Sequence, residues 1–516
     1  MDPRLKPGRW RRRRNRRARR IGALVLAIVL LALAVVFLRG HVHQKVQTLQ
    51  APLPPPRHHV TSGLRSGSDW TPAQTARLRA DLDKLAPTDV FPVSTGMLVL
   101  DARNGHVLYS RNPELPLIPG STIKLMTAAA ALGALGSEYR FITSVVTDES
   151  PSGGVLNGNI WVVGGGDPEL TSDNLRSAVH EIQLHGVQSV AGNVYADGSR
   201  YGPDRVSDTW EPDDLQYGWA APASAVSIDG GSLQFTITPR AGTEAMVAVD
   251  PPGQNVIASV ETAAEGSENT LHIDPLPNDG GYEVRGQIPY GAPQKYWRAV
   301  PHPTHAAAVS LLAMMKLAGI EVSGSAGESS PPAGATTLWE HRSRTLDLII
   351  KQMFFLSDNH YAEELLRAVG WKAFGLGDLP NSFAAEKAFL QSNHVPSQGV
   401  VIADGSGLSA RNRVTANCIA ASLRFLLNQP LPEAPFTLLP RAGIEGTVAV
   451  RDLAPEAKGR VFAKDGYIQG ASALAGYVLT MKHGPVIFVF LVNNWERGLD
   501  AVWANEDSML DLIASR

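Results

Sequence analysis

Gly120-Ser121-Thr122-Ile123-Lys124 stands at the head of Leu125-Met126-Thr127-Ala128-Ala129-Ala130-Ala131-Leu132-Gly133-Ala134-Leu135, a run rich in strong helix formers. On a helix, positions i and i+3 share a face, which puts Lys124 one turn from Ser121. A serine hydroxyl is a poor nucleophile until a base takes its proton, and a neutral lysine amine is one such base. The positive end of the helix would also favour negative charge developing nearby. Alone, two fixed positions in four recur by chance, and the same residues read equally as a helix cap followed by a surface lysine.

Downstream, Ser357-Asp358-Asn359 lies between the apolar run ending at Leu356 and a helical run, Tyr361 to Val369. A polar triplet at such a junction can point a hydroxyl and an amide into a cleft, or simply cap the second helix. Further on, Lys464-Asp465-Gly466 follows the strand-like Val461 to Ala463. Lys464 would polarise a site at a strand edge, and Gly466 would let a substrate backbone approach closely. In isolation this string is an ordinary turn.

In this order and setting the three strings resemble those of the serine penicillin-recognising enzymes, which carry S-x-x-K at a helix start, S-D-N or S-x-N between helices and K-T-G on a strand. The long interval from Ser121 to Ser357 is similar to that of the class C low-molecular-mass penicillin-binding proteins, the D-alanyl-D-alanine carboxypeptidase/endopeptidase family. Four flanking strings are similar to that family as well: Val162-Val163-Gly164-Gly165-Gly166-Asp167-Pro168, Asp404-Gly405-Ser406-Gly407-Leu408-Ser409, Gly443-Ile444-Glu445-Gly446-Thr447 and Leu474-Ala475-Gly476-Tyr477. The resemblance runs from roughly Pro92 to the C-terminus. It implies an α/β fold, a transpeptidase/β-lactamase-like serine penicillin-recognising domain with inserted β-rich domains. The activity implied is hydrolysis of peptidoglycan stem peptides or cross-links through an acyl-enzyme. Ser121 would then attack the carbonyl between two D-alanines with Lys124 as acylation base, while Ser357 and Asn359 relay protons and hold the substrate amide. Lys464 completes the implied catalytic set, and Asp358, Asp465, Gly466 and Tyr467 would line the substrate. The backbone N–H groups of Ser121 and Tyr467 would form the oxyanion hole. Peptidoglycan peptides and, as covalent inhibitors, β-lactams are the implied partners; no metal or organic cofactor is implied.

One position departs from that pattern. Where the family has K-T-G and then Ser or Thr, this chain has Lys464-Asp465-Gly466-Tyr467. The usual threonine hydroxyl would hydrogen-bond the substrate's terminal carboxylate, whereas an ionised Asp465 would repel it. Three explanations stand open: Asp465 is neutralised by a neighbouring arginine or by protonation, the substrate differs, or turnover has been lost and the chain is a catalytically impaired peptidoglycan-binding homologue. A β-lactamase would not be expected to carry so large an insert, and G-x-S-x-G, a Walker loop and H-E-x-x-H are absent.

The rest of the chain gives the setting. Residues 1–20 carry ten Arg and one Lys against a single Asp, and Ile21 to Leu38 then runs without a charge. A basic flank before an apolar segment is expected to leave 1–20 in the cytoplasm, to place 21–38 as a transmembrane anchor and to send the remainder outside, into a bacterial cell envelope. Ala32-Leu33-Ala34 mimics a cleavage site, but Val35-Val36-Phe37-Leu38 prolong the apolar run beyond it. Residues 39–70, with Pro52-Leu53-Pro54-Pro55-Pro56, read as a linker. The folded part is expected from Thr71, which with Gln74 forms a capping box, and Asn104-Gly105 signals a hairpin. The texture divides the remainder into 71–140 and 301–516, the penicillin-binding domain, and 141–300, the inserted β-rich domains. Near the C-terminus, Ala471 to Leu479 and Val486 to Val492 read as strands. Lys plus Arg (47) nearly balances Asp plus Glu (49), so charge gives no argument for nucleic-acid binding. Cys418 is the single cysteine, which excludes an intrachain disulfide and suits a buried small hydrophobe.

Overall fold

The computed structural model describes residues 67–203, 205–277 and 280–516. The chain divides into Met1–Leu53 and Pro54–Arg516, and all of these residues belong to the second unit. The basic segment, the anchor read at 21–38 and the linker through Ser66 lie outside the described residues. Among those described, no helix is long and apolar enough to cross a membrane.

Helix α1 (Pro72–Leu85) begins with the expected capping box: Thr71 accepts the Gln74 amide and the Gln74 side chain returns to the Thr71 backbone. Strands β1 (Thr95–Asp101) and β2 (Val107–Arg111) form the Asn-Gly hairpin. A short 3-10 turn, Gly120–Ile123, leads into α2 (Lys124–Leu135). After the inserted material come α3 (Leu346–Leu356), α4 (Asn359–Phe374), α5 (Leu379–Ser392), α6 (Ala416–Leu427), β3 (Val461–Ile468), β4 (Ala471–Leu479), β5 (Pro485–Asn493) and α7 (Leu499–Ala514). The two ends of the unit share one antiparallel sheet, ordered β3-β4-β5-β1-β2.

Strand alternation builds two cores from that sheet. Phe488, Phe490 and Val492 pack with Leu78 and Leu82 of α1 and Met509 and Ile513 of α7. Ile487, Val489 and Leu491 face the other way, onto Ala128 of α2, Ile419 of α6 and the sole cysteine, Cys418. Because helices cover both faces, β5 is buried from end to end and reads as a continuous apolar run rather than an alternating one. Truncating Phe490 to Ala would cost about 3–5 kcal/mol. On the second face, the 3-10 turn ahead of α2 meets β3, the edge strand.

Between α2 and α3 the chain builds a five-stranded sheet and three three-stranded sheets. Two of the three-stranded sheets share a core: Leu233, Phe235 and Ile237 meet Val260, Ile273, Val284 and Ile288. The five-stranded sheet is closed by Thr336–Arg342 pairing with Ile142–Thr147. Helix Pro303–Leu317 packs Ala307, Leu311 and Met315 against Val145, Val162 and Val194 of the same sheet. The strand-rich stretch ends at Ala299, and Thr336–Arg342 returns later to pair with the five-stranded sheet.

Candidate active site

Ser121 sits in the 3-10 turn, where Gly120, Gly407 and Gly466 let backbone segments approach closely. A Cβ on Gly466 would lie 2.4 Å from Pro119 O and 2.8 Å from Ser121 N, and one on Gly407 would lie 2.1 Å from Gly120 O. Gly466 therefore makes room for the serine's own turn. Gly407, at φ 89°, adds the left-handed backbone that a side chain would resist.

Lys124 is fully buried beneath this turn. Its Nζ lies 2.9 Å from Ser121 Oγ, 2.7 Å from Asn359 Oδ1 and 2.6 Å from the Ser406 carbonyl. The amide of Asn359 is oriented by its Nδ2, which donates to the Trp219 carbonyl at 2.9 Å. A charged ammonium gives one proton to each of the three oxygens. A neutral amine has only two, and of the three partners only the Ser121 hydroxyl has a proton to give in return. Deprotonating Lys124 thus turns the Ser121 contact into O–H donating to nitrogen, the arrangement a general base requires. Burial, and next the charge of Lys464, lower the Lys124 pKa to about 7, against the opposing pull of Asp404, Asp358 and Glu363.

The Ser406 carbonyl is held by a buried scaffold. Glu363 of α4 accepts from the amides of Gly405 (3.0 Å) and Ser406 (2.9 Å), and Thr127 donates to Gly405 O at 2.9 Å. Asp404 binds the other side of the loop, accepting from Gly407 N, Ser409 N, Asn412 Nδ2 and Trp210 Nε1. Burial, followed by the charge of Asp404, raises the Glu363 pKa to about 7. The neighbouring Glu364 accepts from Ser224 N at 2.9 Å and Ser227 Oγ at 3.2 Å. Adjacent glutamates on one helix thereby fix the 404–409 loop and the inserted material beside Asn359.

The remaining sequence candidates fall in different places. Ser357 terminates α3 in the left-handed conformation, φ 57°, at the junction expected. Asp358 caps α4, accepting from Tyr361 N at 3.2 Å. Lys464 is buried on β3, and its Nζ donates to the Asp465 carbonyl (2.7 Å) and to Asp465 Oδ1 (2.6 Å). The same Oδ1 accepts from Thr447 Oγ1 at 2.5 Å. Burial would raise the Asp465 pKa, but the Lys464 charge and these hydrogen bonds outweigh it and hold the carboxyl below its usual range. Asp465 is thus compensated by its neighbouring lysine, not by an arginine or a proton. Tyr467 is exposed, its ring beside Trp495.

Sequence reading missed Glu363, Trp219 and Thr447 as site-forming residues. A signal existed for the first: Glu363-Glu364 interrupts the apolar face Ala362, Leu365, Leu366, Val369 of a helix, and carboxylates there need partners. Trp219 O and Thr447 are brought in only by the tertiary fold.

The D-Ala-D-Ala carboxypeptidase 3 (S13) family matches this chain over residues 78–515. A D-alanyl-D-alanine carboxypeptidase of Actinomadura sp. (strain R39) is 32% identical over 84% of this chain and 83% of its own length. Among solved structures, penicillin binding protein 4 of Haemophilus influenzae superposes with a TM-score of 0.72 at 25% identity, covering 85% of this chain and 99% of that one. The same protein complexed with a β-lactam gives 0.66 at 24% identity, over 84% and 97%.

Proposed function

The chain belongs to the D-Ala-D-Ala carboxypeptidase 3 (S13) family, and from that membership we infer that it hydrolyses D-Ala-D-Ala-type bonds of peptidoglycan, in stem peptides or cross-links, as a serine-type carboxypeptidase/endopeptidase of the bacterial envelope. The observation that carries the mechanism is the Lys124 hydrogen-bond set, in which Ser121 is the one partner able to give a proton. Neutral Lys124 takes the Ser121 proton as Oγ bonds to the carbonyl carbon. The backbone N–H groups of Ser121 and Tyr467 receive the developing oxyanion. As the C–N bond breaks, the leaving amine is protonated through Ser357, and Asn359 holds the substrate amide. Water then adds to the ester, releasing the acid and restoring Ser121. Lys464 supplies positive charge beside the site and helps to keep Lys124 neutral. Of the substrate-lining residues, Asp465, Gly466 and Tyr467 flank the bound peptide on β3, while Asp358 acts through its cap on α4.

β-Lactams are inferred to acylate Ser121. Incubation of the full chain with a fluorescent penicillin, beside Ser121→Ala, tests this: the wild type should label covalently at Ser121 and the variant should not. A folded, unlabelled wild type would overturn the reading.

Two proposals concern the rest of the chain. The inserted domains are taken to run from Ile142 to Arg342, supported by the packing of Pro303–Leu317 and the strand pairing of Thr336–Arg342. Ile21–Leu38, after its Arg-rich flank, is taken to anchor the chain in the inner membrane, with the catalytic domain outside. Membrane fractionation with and without residues 1–38 tests the anchor; unchanged fractionation would contradict it.

A further inference from the structure

Resting on the acyl-enzyme reading above, we propose that Asp465 is a specificity residue: it selects substrates whose residue beyond the scissile bond ends in a carboxamide, a hydrogen-bond donor, over those ending in a free carboxylate. The placement comes from β3. Asp465 immediately precedes Gly466, and a Cβ on that glycine would lie 2.8 Å from Ser121 N, so this edge strand runs alongside the nucleophile. Asp465 is only partly covered, its side chain 37% exposed.

The chemistry of the position is that of an acceptor. Oδ1 is taken by Lys464 Nζ and Thr447 Oγ1, which leaves Oδ2 with capacity for another donor. The nearby threonine cannot substitute as a carboxylate binder, because its single proton is already given to Asp465. Lys464 spends its charge on the same aspartate, so the pair presents no net positive charge to an incoming carboxylate. A carboxylate placed here would meet an ionised oxygen at short range; a carboxamide N–H would meet an acceptor. Hydrolysis itself is unchanged: the acyl group passes to Ser121 and the leaving residue departs as a free amine carrying its carboxamide.

The test compares kcat/KM of the full chain for diacetyl-L-Lys-D-Ala-D-Ala and for the same peptide ending in D-alaninamide, reading release of D-alanine or D-alaninamide. Wild type should favour the amide by at least about tenfold. Asp465→Thr should reverse the preference, and the near-isosteric Asp465→Asn, which keeps the shape of the site, should abolish it. A wild type that labels with penicillin yet cleaves the free acid as well as the amide, with neither substitution changing the ratio, would overturn this inference alone. A folded chain that neither labels nor cleaves either peptide would bring down the underlying reading, and this inference with it.

Discussion

Two fully buried lysines flank Ser121, and the fold satisfies them in opposite ways. Lys124 is given three neutral oxygens, from Ser121, Asn359 and the Ser406 carbonyl. Lys464 is given a carboxylate. Burial disfavours the charge of both, but only Lys464 has a bonded anion to resist the loss. The difference assigns the work: the lysine without an anion can surrender its proton and act as base, and the paired one is held charged by its carboxylate.

Removing the base should break the comparison most completely. Lys124→Ala should slow acylation by about 10²–10⁴-fold, measured as the rate of penicillin labelling, because the contribution of general-base catalysis is lost. Next in size is Gly466→Ala. Its Cβ would press on Pro119 O and Ser121 N, shifting the nucleophile and reducing labelling by about 10²-fold, while circular dichroism should show the fold intact.

Two electrostatic variants should sharpen the comparison by moving the pH profile in opposite directions. Glu363 raises the Lys124 pKa and Lys464 lowers it. Glu363→Gln, which keeps an acceptor for Gly405 and Ser406, should therefore move the acid limb of acylation to lower pH, and Lys464→Met should move it to higher pH. Stopped-flow acylation rates across pH would read both.

The smallest effect concerns Glu386 of α5, a fully buried carboxyl with no hydrogen-bond partner among the described residues. Burial, then the charge of Glu363, raises its pKa from 4.5 to about 8. The folded state therefore keeps a proton that the unfolded chain loses, so this group's stabilisation is fully present below about pH 4.5 and lost as pH rises towards 8. Glu386→Gln should raise Tm at pH 8 relative to wild type, with the gain vanishing at pH 4.5; equal gains at both would contradict the assignment.

Much of this was legible where chemistry is local. Ser121 and Lys124 share a helical face by spacing, the capping box at Thr71 is a matter of three residues, and the sheet's buried strands show as apolar runs. Long-range partners were not: Ser406 O reaches Lys124 across 282 positions and Trp219 O reaches Asn359 across 140, and a backbone carbonyl leaves no trace in composition. The largely apolar helix Pro303–Leu317 packs on the five-stranded sheet of the inserted material, a placement that apolar composition alone does not reveal. Asp465 was harder for a different reason. Adjacent residues on a strand point to opposite faces, which hides Lys464 as a partner, yet a long lysine stem on an edge strand can turn back to its neighbour's carboxylate.

The central claim is that neutral Lys124 activates Ser121, and the pH dependence of the wild-type acylation rate by a fluorescent penicillin tests it most directly. With Lys124 near pKa 7, the rate should be at its plateau above that pH and fall as pH drops through it. A rate unchanged from about pH 5 to 9, across the whole range in which such a lysine gains its proton, would contradict the account.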